Sequence, residues 1–196
     1  MKASFMLAGV ALAFATPAAA QELVTNGGFE TGNFNGFTLT GNTDATLVDT
    51  GAAFVASGSY GAAFAPVDPL GGITQTLSTN AGQSYLISFD LRNLDGGTPN
   101  FYNVLFGGVS LFSATNSAAF NYTNFSTTAT AVGASTELAF NLQHNPSYFG
   151  LDNVSVTAVN GAVPEPATWA MMLMGFGAIG VSLRRRRRTQ TLLQAA

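Results

Sequence analysis

Between Gln21 and Ala162 apolar and polar residues alternate with a period of two, and this rhythm constrains the fold more than any other feature. Tyr85, Ile87, Phe89 and Leu91 alternate with Ser84, Ser88, Asp90 and Arg92. Ile73 and Leu77 flank Thr74-Gln75-Thr76, and Leu138, Phe140 and Leu142 alternate with Glu137 and Asn141. Val154, Val156 and Ala158 interleave with Asn153, Ser155 and Thr157. Successive side chains of a strand point to opposite faces, so each run reads as a half-buried strand. Turn signals separate the runs: Asn26-Gly27-Gly28, Asn80-Ala81-Gly82, Asp95-Gly96-Gly97 and His144-Asn145-Pro146. No amphipathic helix of useful length interrupts them. About eight short strands with Gly- and Asn-rich turns predict an all-β fold, a single β-sandwich with jelly-roll-like connectivity. A β-solenoid is the runner-up, although no repeat of ~20–25 residues is visible.

Charge is divided unevenly along the chain. The whole sequence carries a formal net charge of −3, with five of its seven Lys+Arg in the run Arg184–Arg188. Residues 21–162 hold one cation, Arg92, against nine carboxylates: Glu22, Glu30, Asp44, Asp49, Asp68, Asp90, Asp95, Glu137 and Asp152. The net charge of that stretch is −8 with His144 neutral, which excludes nonspecific binding to nucleic acid or anionic lipid. The chain has no Cys, so disulfides, thiolate catalysis and cysteine zinc sites are excluded.

The two ends read as addresses. Met1-Lys2, the apolar run Phe5–Ala15 and the small residues Ala18 and Ala20 predict a signal peptide over 1–20, cut after Ala20. Near the other end, Pro164 and Pro166 discourage regular structure. Ala167–Leu183 then runs 17 residues without a charge. As a helix this is roughly 25 Å long, at the lower limit for spanning a hydrocarbon core of ~30 Å. A transmembrane helix over about 167–183 places Trp169 at the outer interface and Arg184, Arg185, Arg186, Arg187 and Arg188 at the cytoplasmic one. Residues 189–196 are then a short cytoplasmic tail, and the body lies outside. Gly175, Gly177 and Gly180 weaken insertion; they suit either close helix approach or a segment held temporarily and then cut.

Val163-Pro164-Glu165-Pro166-Ala167-Thr168-Trp169, the weakly apolar segment and the arginine run together resemble the PEP-CTERM sorting signal, over 163–188. Some catalogues label the same region an ice-binding protein C-terminal domain. The resemblance implies export through a secretion translocon in a bacterium that makes exopolysaccharide. It further implies recognition of Pro164, Glu165 and Pro166 by an inner-membrane exosortase-like enzyme, with the cell surface or extracellular matrix as destination.

A second resemblance covers the body. Leu23-Val24-Thr25-Asn26-Gly27-Gly28-Phe29-Glu30, Gly32-Asn33-Phe34-Asn35-Gly36-Phe37, Tyr85-Leu86-Ile87-Ser88-Phe89-Asp90 and Leu151-Asp152-Asn153-Val154-Ser155-Val156 resemble, in order, segments of carbohydrate-binding-module-like jelly rolls. Phe37 stands where many such modules have tryptophan. In relatives with a structural calcium the opening Glu and the closing Asp are ligands. The resemblance therefore implies one Ca²⁺ held by Glu30 and Asp152, with carbonyls near Asn26 or Gly28, and Asp44 and Asp49 as lesser candidates. The alternative is that Glu30 and Asp152 are solvent-facing acids at strand ends.

Catalysis finds little support. His144 is the sole histidine, no Gly-x-Ser-x-Gly context is present, and His144-Asn145-Pro146 reads as a loop. The sequence therefore predicts no enzyme and no catalytic residue; a glycan-acting enzyme is the remote alternative. Two readings remain: a non-enzymatic envelope or matrix protein associated with exopolysaccharide, and a specific carbohydrate-binding module. Tyr102, Tyr122 and Tyr148 are the candidate glycan contacts, while most Phe residues are expected in the core. An exposed row of tyrosines across a sheet favours binding; a face of Ser, Thr and Ala favours a structural role. Ice binding needs a regular Thr array, and Thr38/Thr40 and Thr74/Thr76 are isolated pairs.

Overall fold

The computed structural model describes residues 21–159, 171–180 and 184. The predicted signal peptide, Pro164, Glu165, Pro166, Trp169 and Arg185–Arg188 lie outside the described residues. So does part of the expected spanning segment 167–183. Residues 171–180 form a helix. Among the described residues no helix is long and apolar enough to cross a membrane.

Ten strands form the body: β1 (Thr38–Gly41), β2 (Thr46–Asp49), β3 (Gly61–Phe64), β4 (Gly71–Ser78), β5 (Ser84–Asn93), β6 (Asn100–Phe106), β7 (Val109–Thr115), β8 (Phe120–Thr130), β9 (Ser135–His144) and β10 (Phe149–Ala158). They make two antiparallel five-stranded sheets, β1-β4-β9-β6-β7 and β2-β3-β10-β5-β8. The sandwich agrees with the period-two reading, and the long non-sequential connections are those of a jelly roll rather than a solenoid. The opening segment joins the last strand: Leu23 N–H donates to Val156 O at 3.0 Å and Val154 N–H to Gly27 O at 2.9 Å. Gly27 is required there, because a Cβ would fall 1.9 Å from Val154 O.

The alternating apolar residues meet between the sheets. In β5 Tyr85, Ile87, Phe89 and Leu91 are buried; in β9 Leu138, Phe140 and Leu142; in β10 Phe149, Leu151, Val154 and Val156. Phe89 and Phe125 anchor the aromatic cluster. Phe89 has three ring partners. It stacks on Phe125 at 5.3 Å and 5°, and meets Phe140 edge-on at 5.2 Å and Phe112 at 5.5 Å. Such pairs add roughly 0.5–1.5 kcal/mol beyond area burial. Phe37 packs on Phe29 in a stacked pair at 5.6 Å, so phenylalanine fills core volume at that position.

Two features differ from expectation. His144 is not a loop residue but the last residue of β9, 1% exposed. It continues the inward series Leu138, Phe140, Leu142. Tyr102 is likewise inward, 8% exposed, in the buried series Asn100, Tyr102, Val104, Phe106 of β6.

Candidate functional site

A bulge in β10 builds a polar cluster on the second sheet. Between Asp152, paired with Asp90, and Ser155, paired with Ser88, the register of β10 against β5 shifts. Asn153 takes a left-handed φ of 52° at the bulge. Such an insertion re-aims neighbouring side chains. Asp152, fully buried, turns onto the loop joining β2 to β3. Its Oδ2 accepts the N–H groups of Ala56 (2.8 Å) and Ser57 (3.0 Å), and its Oδ1 accepts that of Asn153 (2.7 Å). Burial, the dominant influence, together with the nearby Asp90 charge, holds the Asp152 carboxyl above its ordinary value despite those three N–H donors.

Glu30 takes the other half of the same loop. Its Oε1 accepts Ser59 N–H at 2.9 Å and Tyr60 N–H at 3.3 Å. Gly58 has a φ of +73°, and a Cβ there would collide with Glu30 Oε1, so glycine seats the carboxylate. The two acids meet around Gly28: a Cβ on Gly28 would lie 3.7 Å from Glu30 Cγ, 3.8 Å from Asp152 Oδ1 and 3.9 Å from Asn153 Oδ1. The structure thus brings Glu30 and Asp152 together. Asp152 is fully buried whereas Glu30 is exposed, and each binds backbone N–H groups of the loop. Asp49 instead accepts Gly51 N–H at 2.6 Å, and Asp44 sits in the turn between β1 and β2. Among the described residues no three His, Asp or Glu side chains gather as a metal-binding group. Any ion here would draw on the two carboxylates with amide, hydroxyl and carbonyl oxygens.

Asn153 extends the cluster. Its Nδ2 donates to Asp90 Oδ2 at 2.7 Å, and its Oδ1 accepts from Ser57 Oγ at 2.8 Å. Asp90 Oδ1 accepts from Asn124 Nδ2 at 2.9 Å. Next to them Arg92 stands opposite Gly150. The Tyr122 hydroxyl reaches over Gly150, where a Cβ would be 2.5 Å away, and has no hydrogen-bond partner. Burial and then the Asp152 charge push the Tyr122 hydroxyl pKa far up, against the opposing pull of Arg92. These residues went unrecognised as a group because β10 lies between β5 and the opening segment only in three dimensions.

The three candidate tyrosines do not share a face. Tyr102 packs edge-on against Phe125 (6.1 Å) and Phe149 (5.8 Å) in the core, and burial raises its pKa. Tyr122 lies on the outer side of the second sheet. Tyr148 is half-buried between β9 and β10, against Phe54 at 5.5 Å. The alternation of β6 was the signal that placed Tyr102 inside.

The outer face of the first sheet is polar and of small residues. One register row crosses all five strands: Thr40, Gly72, Asn141, Asn103, Ser113. The next holds Thr38, Thr74, Ala139 and Leu105. Phe101, paired with Gln143 and Thr115, is the aromatic of this face. Asn103 Oδ1 accepts from Ser110 Oγ at 2.7 Å, leaving its N–H₂ for other acceptors.

His144 makes structural bonds. Nδ1 accepts Ser147 N–H at 3.3 Å, so Nε2 carries the hydrogen and faces Asn93 Oδ1 at 2.7 Å and Asp95 O at 3.2 Å. Burial lowers its pKa below the ordinary 6.5.

Comparison with known proteins adds two findings. Residues 162–188 match the family model described as the PEP-CTERM protein-sorting motif. No match was found among curated proteins. Among solved structures, the chain is similar to TmCBM61 in complex with β-1,4-galactotriose, at 14% identity and a TM-score of 0.54, over 70% of this chain and 98% of that one. It is similar to the CBM22-1 xylan-binding domain of Paenibacillus barcinonensis Xyn10C at 17% identity and 0.52, over 75% and 100%. The CBM22-1–GH10 modules of Clostridium thermocellum Xyn10B, complexed with xylohexaose, give 19% and 0.54, over 75% of this chain and 30% of that one. Identities this low establish the fold and leave activity open. The sandwich has the jelly-roll fold of carbohydrate-binding modules, and residues 162–188 carry a PEP-CTERM sorting motif.

Proposed function

We propose that this chain is a non-enzymatic exported protein of the cell envelope or extracellular matrix, sorted by an exosortase-type enzyme and associated with exopolysaccharide. One observation carries the reading: a PEP-CTERM motif at 162–188 follows a jelly roll of the carbohydrate-binding-module kind. Sorting acts through Pro164, Glu165 and Pro166, with Trp169 and Arg184–Arg188 setting the topology of the anchor. The sandwich is what the sorting delivers.

A specific carbohydrate-binding module is the second reading, and the fold favours it. The face of Thr, Ser, Asn and Ala, with Phe101 and Leu105, favours broad contact with a polymer over one deep sugar subsite. Sugar-stacking roles for Tyr122 and Tyr148 belong to this second reading; Tyr102, buried in the core, takes no part in it.

A structural Ca²⁺ is part of the proposal. Glu30 and Asp152, with Asn153 Oδ1 near Gly28, supply hard oxygen atoms of the type calcium selects. Its chemistry would be purely structural, fastening the opening segment and β10 to the β2–β3 loop. Wild type should melt higher with added Ca²⁺, and Glu30→Gln with Asp152→Asn should abolish that rise. Identical melting of wild type in Ca²⁺ and in chelator refutes the ion.

The function is tested by screening the exported body on a glycan array that includes the producer's own exopolysaccharide. Retention by the polymer without a discrete oligosaccharide hit supports the matrix role, and a discrete hit supports the module. Binding to neither refutes both. Separately, replacing Pro164-Glu165-Pro166 by alanines should retain the protein in the inner-membrane fraction; an unchanged distribution refutes the sorting step.

A further inference from the structure

Each sheet ends in two strands with a neighbour on one side only: β1 and β7 in the first, β2 and β8 in the second. An unpaired edge offers a row of N–H and C=O groups to any strand that reaches it, and proteins blunt such edges by brevity, charge, proline or bulges. β1 and β2 have four residues each. A register shift against β6 splits β7 into Val109–Ser110 and Phe112–Thr115. The regular part of β8 has none of these devices. The strand, FNYTNFSTTAT, contains no charge and no proline, and Thr123–Thr130 pair with β5 without interruption. Its one register shift falls before Thr123.

The hydrogen-bond phase of β8 fixes which of its groups are free. Ala131 N–H donates to Gln83 O at 2.9 Å, so Ala131 is directed at β5. With it go alternate residues back along the strand: Ala129, Thr127, Phe125 and Thr123. Val159 N–H donates to Ser84 O at 2.9 Å on the β10 side, which puts Thr130, opposite Ser84, in the other set. Asn124, Ser126, Thr128 and Thr130 therefore turn their backbone groups away from β5. All four residues are exposed, and among the described residues no other strand meets them. On the inner face Phe125 stacks on Phe89 and meets Phe112 and Phe120 edge-on, yet it is only half-buried. This flank of the sandwich is incompletely covered.

We propose that β8 pairs antiparallel with β8 of a second copy of this chain, about a two-fold axis at Thr127, joining two five-stranded sheets into one of ten. The strand is self-complementary in this register. Ser126 faces the partner's Thr128 and Asn124 faces the partner's Thr130. All of these direct backbone groups outward, so the pairing forms about eight N–H···O bonds. An axis at Thr127 is the one that engages the four outward residues of the regular segment with one another. On the half-buried face Thr127 meets its own counterpart, and Phe125 lies opposite the partner's Ala129, large against small. No like charges come opposite one another. The −8 charge of the body does not forbid the contact. Asp90, bonded to Asn124, lies on β5, and three strand spacings of ~4.8 Å separate β5 from its copy. That separation, about 14 Å, exceeds the ~8 Å Debye length at physiological salt. The pairing goes beyond the glycan-associated reading and stands without it.

The test is analytical ultracentrifugation of the purified full chain in mild detergent, without saccharide. Wild type should show a concentration-dependent monomer–dimer equilibrium. Thr128→Pro removes an outward N–H and no bond to β5, so it should weaken the dimer about tenfold or more while the circular dichroism spectrum is unchanged. Ser126→Lys should weaken it as well, and adding Thr128→Glu should restore it, because each lysine then faces a glutamate of the other copy. The chain has no Cys, so Thr127→Cys reports the axis directly. Opposed residues of a non-hydrogen-bonded pair have Cα atoms ~4.5 Å apart, within disulfide reach, whereas Ser126 and its counterpart are offset by two residues. Thr127→Cys should therefore cross-link under mild oxidation and Ser126→Cys should not. A dimer indifferent to Thr128→Pro, or equal cross-linking at the two positions, overturns the proposal and assigns association to another surface, such as the helix 171–180. A wild type that stays monomeric throughout the titration overturns it too; slow amide exchange at Ser126, Thr128 and Thr130 would then mark a covering segment of the same chain.

Discussion

Asp152→Asn is the substitution that best separates a hydrogen-bonding role from generic burial. Asp152 uses both oxygens: Oδ2 for Ala56 and Ser57, Oδ1 for Asn153. An asparagine offers one oxygen, and its N–H₂ must then face a backbone N–H. Whichever way the amide turns, at least one of these partly buried donors loses its acceptor, at about 1–3 kcal/mol. Relief from burying a charge offsets part of this, so a net loss of about 1–2 kcal/mol is expected. For a body of this size that lowers the melting temperature by about 3–8 °C. Glu30→Gln makes the same chemical change with a smaller result. Its shortest loop contact, Ser59 N–H, and that of Tyr60 both fall on Oε1, and an amide oxygen can keep both. Thermal unfolding in chelator, followed by circular dichroism, gives the comparison without any metal contribution. An asparagine oxygen in the Oδ2 position keeps Ala56 and Ser57 and gives up Asn153 N–H; in the Oδ1 position it does the reverse. In Asp152→Asn amide exchange should therefore accelerate at Asn153 or at the Ala56–Ser57 pair, while all three stay slow in Glu30→Gln. Equal melting of Asp152→Asn and wild type, with Ala56, Ser57 and Asn153 all still protected, would show that the second carboxylate oxygen contributes nothing.

Two further outcomes follow from the core. His144 has a folded-state pKa below 6.5, so its contribution is complete above about 6.5 and is lost as pH falls through the lowered value. Protonation puts an Nδ1–H against Ser147 N–H, and Asp95 is the carboxylate that opposes the shift. Wild type should therefore lose more stability than His144→Gln between pH 7.5 and 5, read by urea denaturation; parallel curves for the two proteins would remove His144 from the account. Phe89→Ala vacates a ring contacted by Phe112, Phe125 and Phe140 and should cost about 3–5 kcal/mol, read from the same denaturation midpoint. A loss under about 1 kcal/mol would mean that the neighbouring rings collapse into the space.

Much of the sandwich was legible because β4, β5, β9 and β10 bury one face and leave the other polar, which writes a period of two into the sequence. β8 was less so: its polar edge carries Asn121, Thr123, Asn124, Ser126 and Thr128, and a strand with one neighbour needs little apolar residue content. Four-residue strands such as β2 and β3 are too short to display a period, which helps explain ten strands against an expectation of about eight. Glu30 and Asp152 were identifiable as a pair through resemblance alone. Their partners were not, because the N–H groups of Ala56, Ser57, Ser59 and Tyr60 belong to the backbone and leave no trace in residue type. Tyr102 and His144 could have been placed inside from the parity of their strands. The gathering of Arg92, Tyr122 and Gly150 depends on which strands become neighbours, and local pattern does not encode that.

The last strand, β10, is not at an edge but between β3 and β5, and it also receives the opening segment at Leu23 and Gly27. As the chain emerges from its amino end, β3 and β5 must wait without their common neighbour until residues 149–158 arrive. Closing contacts between residues some 130 positions apart, such as Glu22 with Ser155 and Val156, is entropically slow compared with local pairing. Only a few residues separate Ala158 from the sorting motif that begins at 162. The last strand and the motif therefore emerge nearly together, and the slow closure of β10 onto its neighbours follows both.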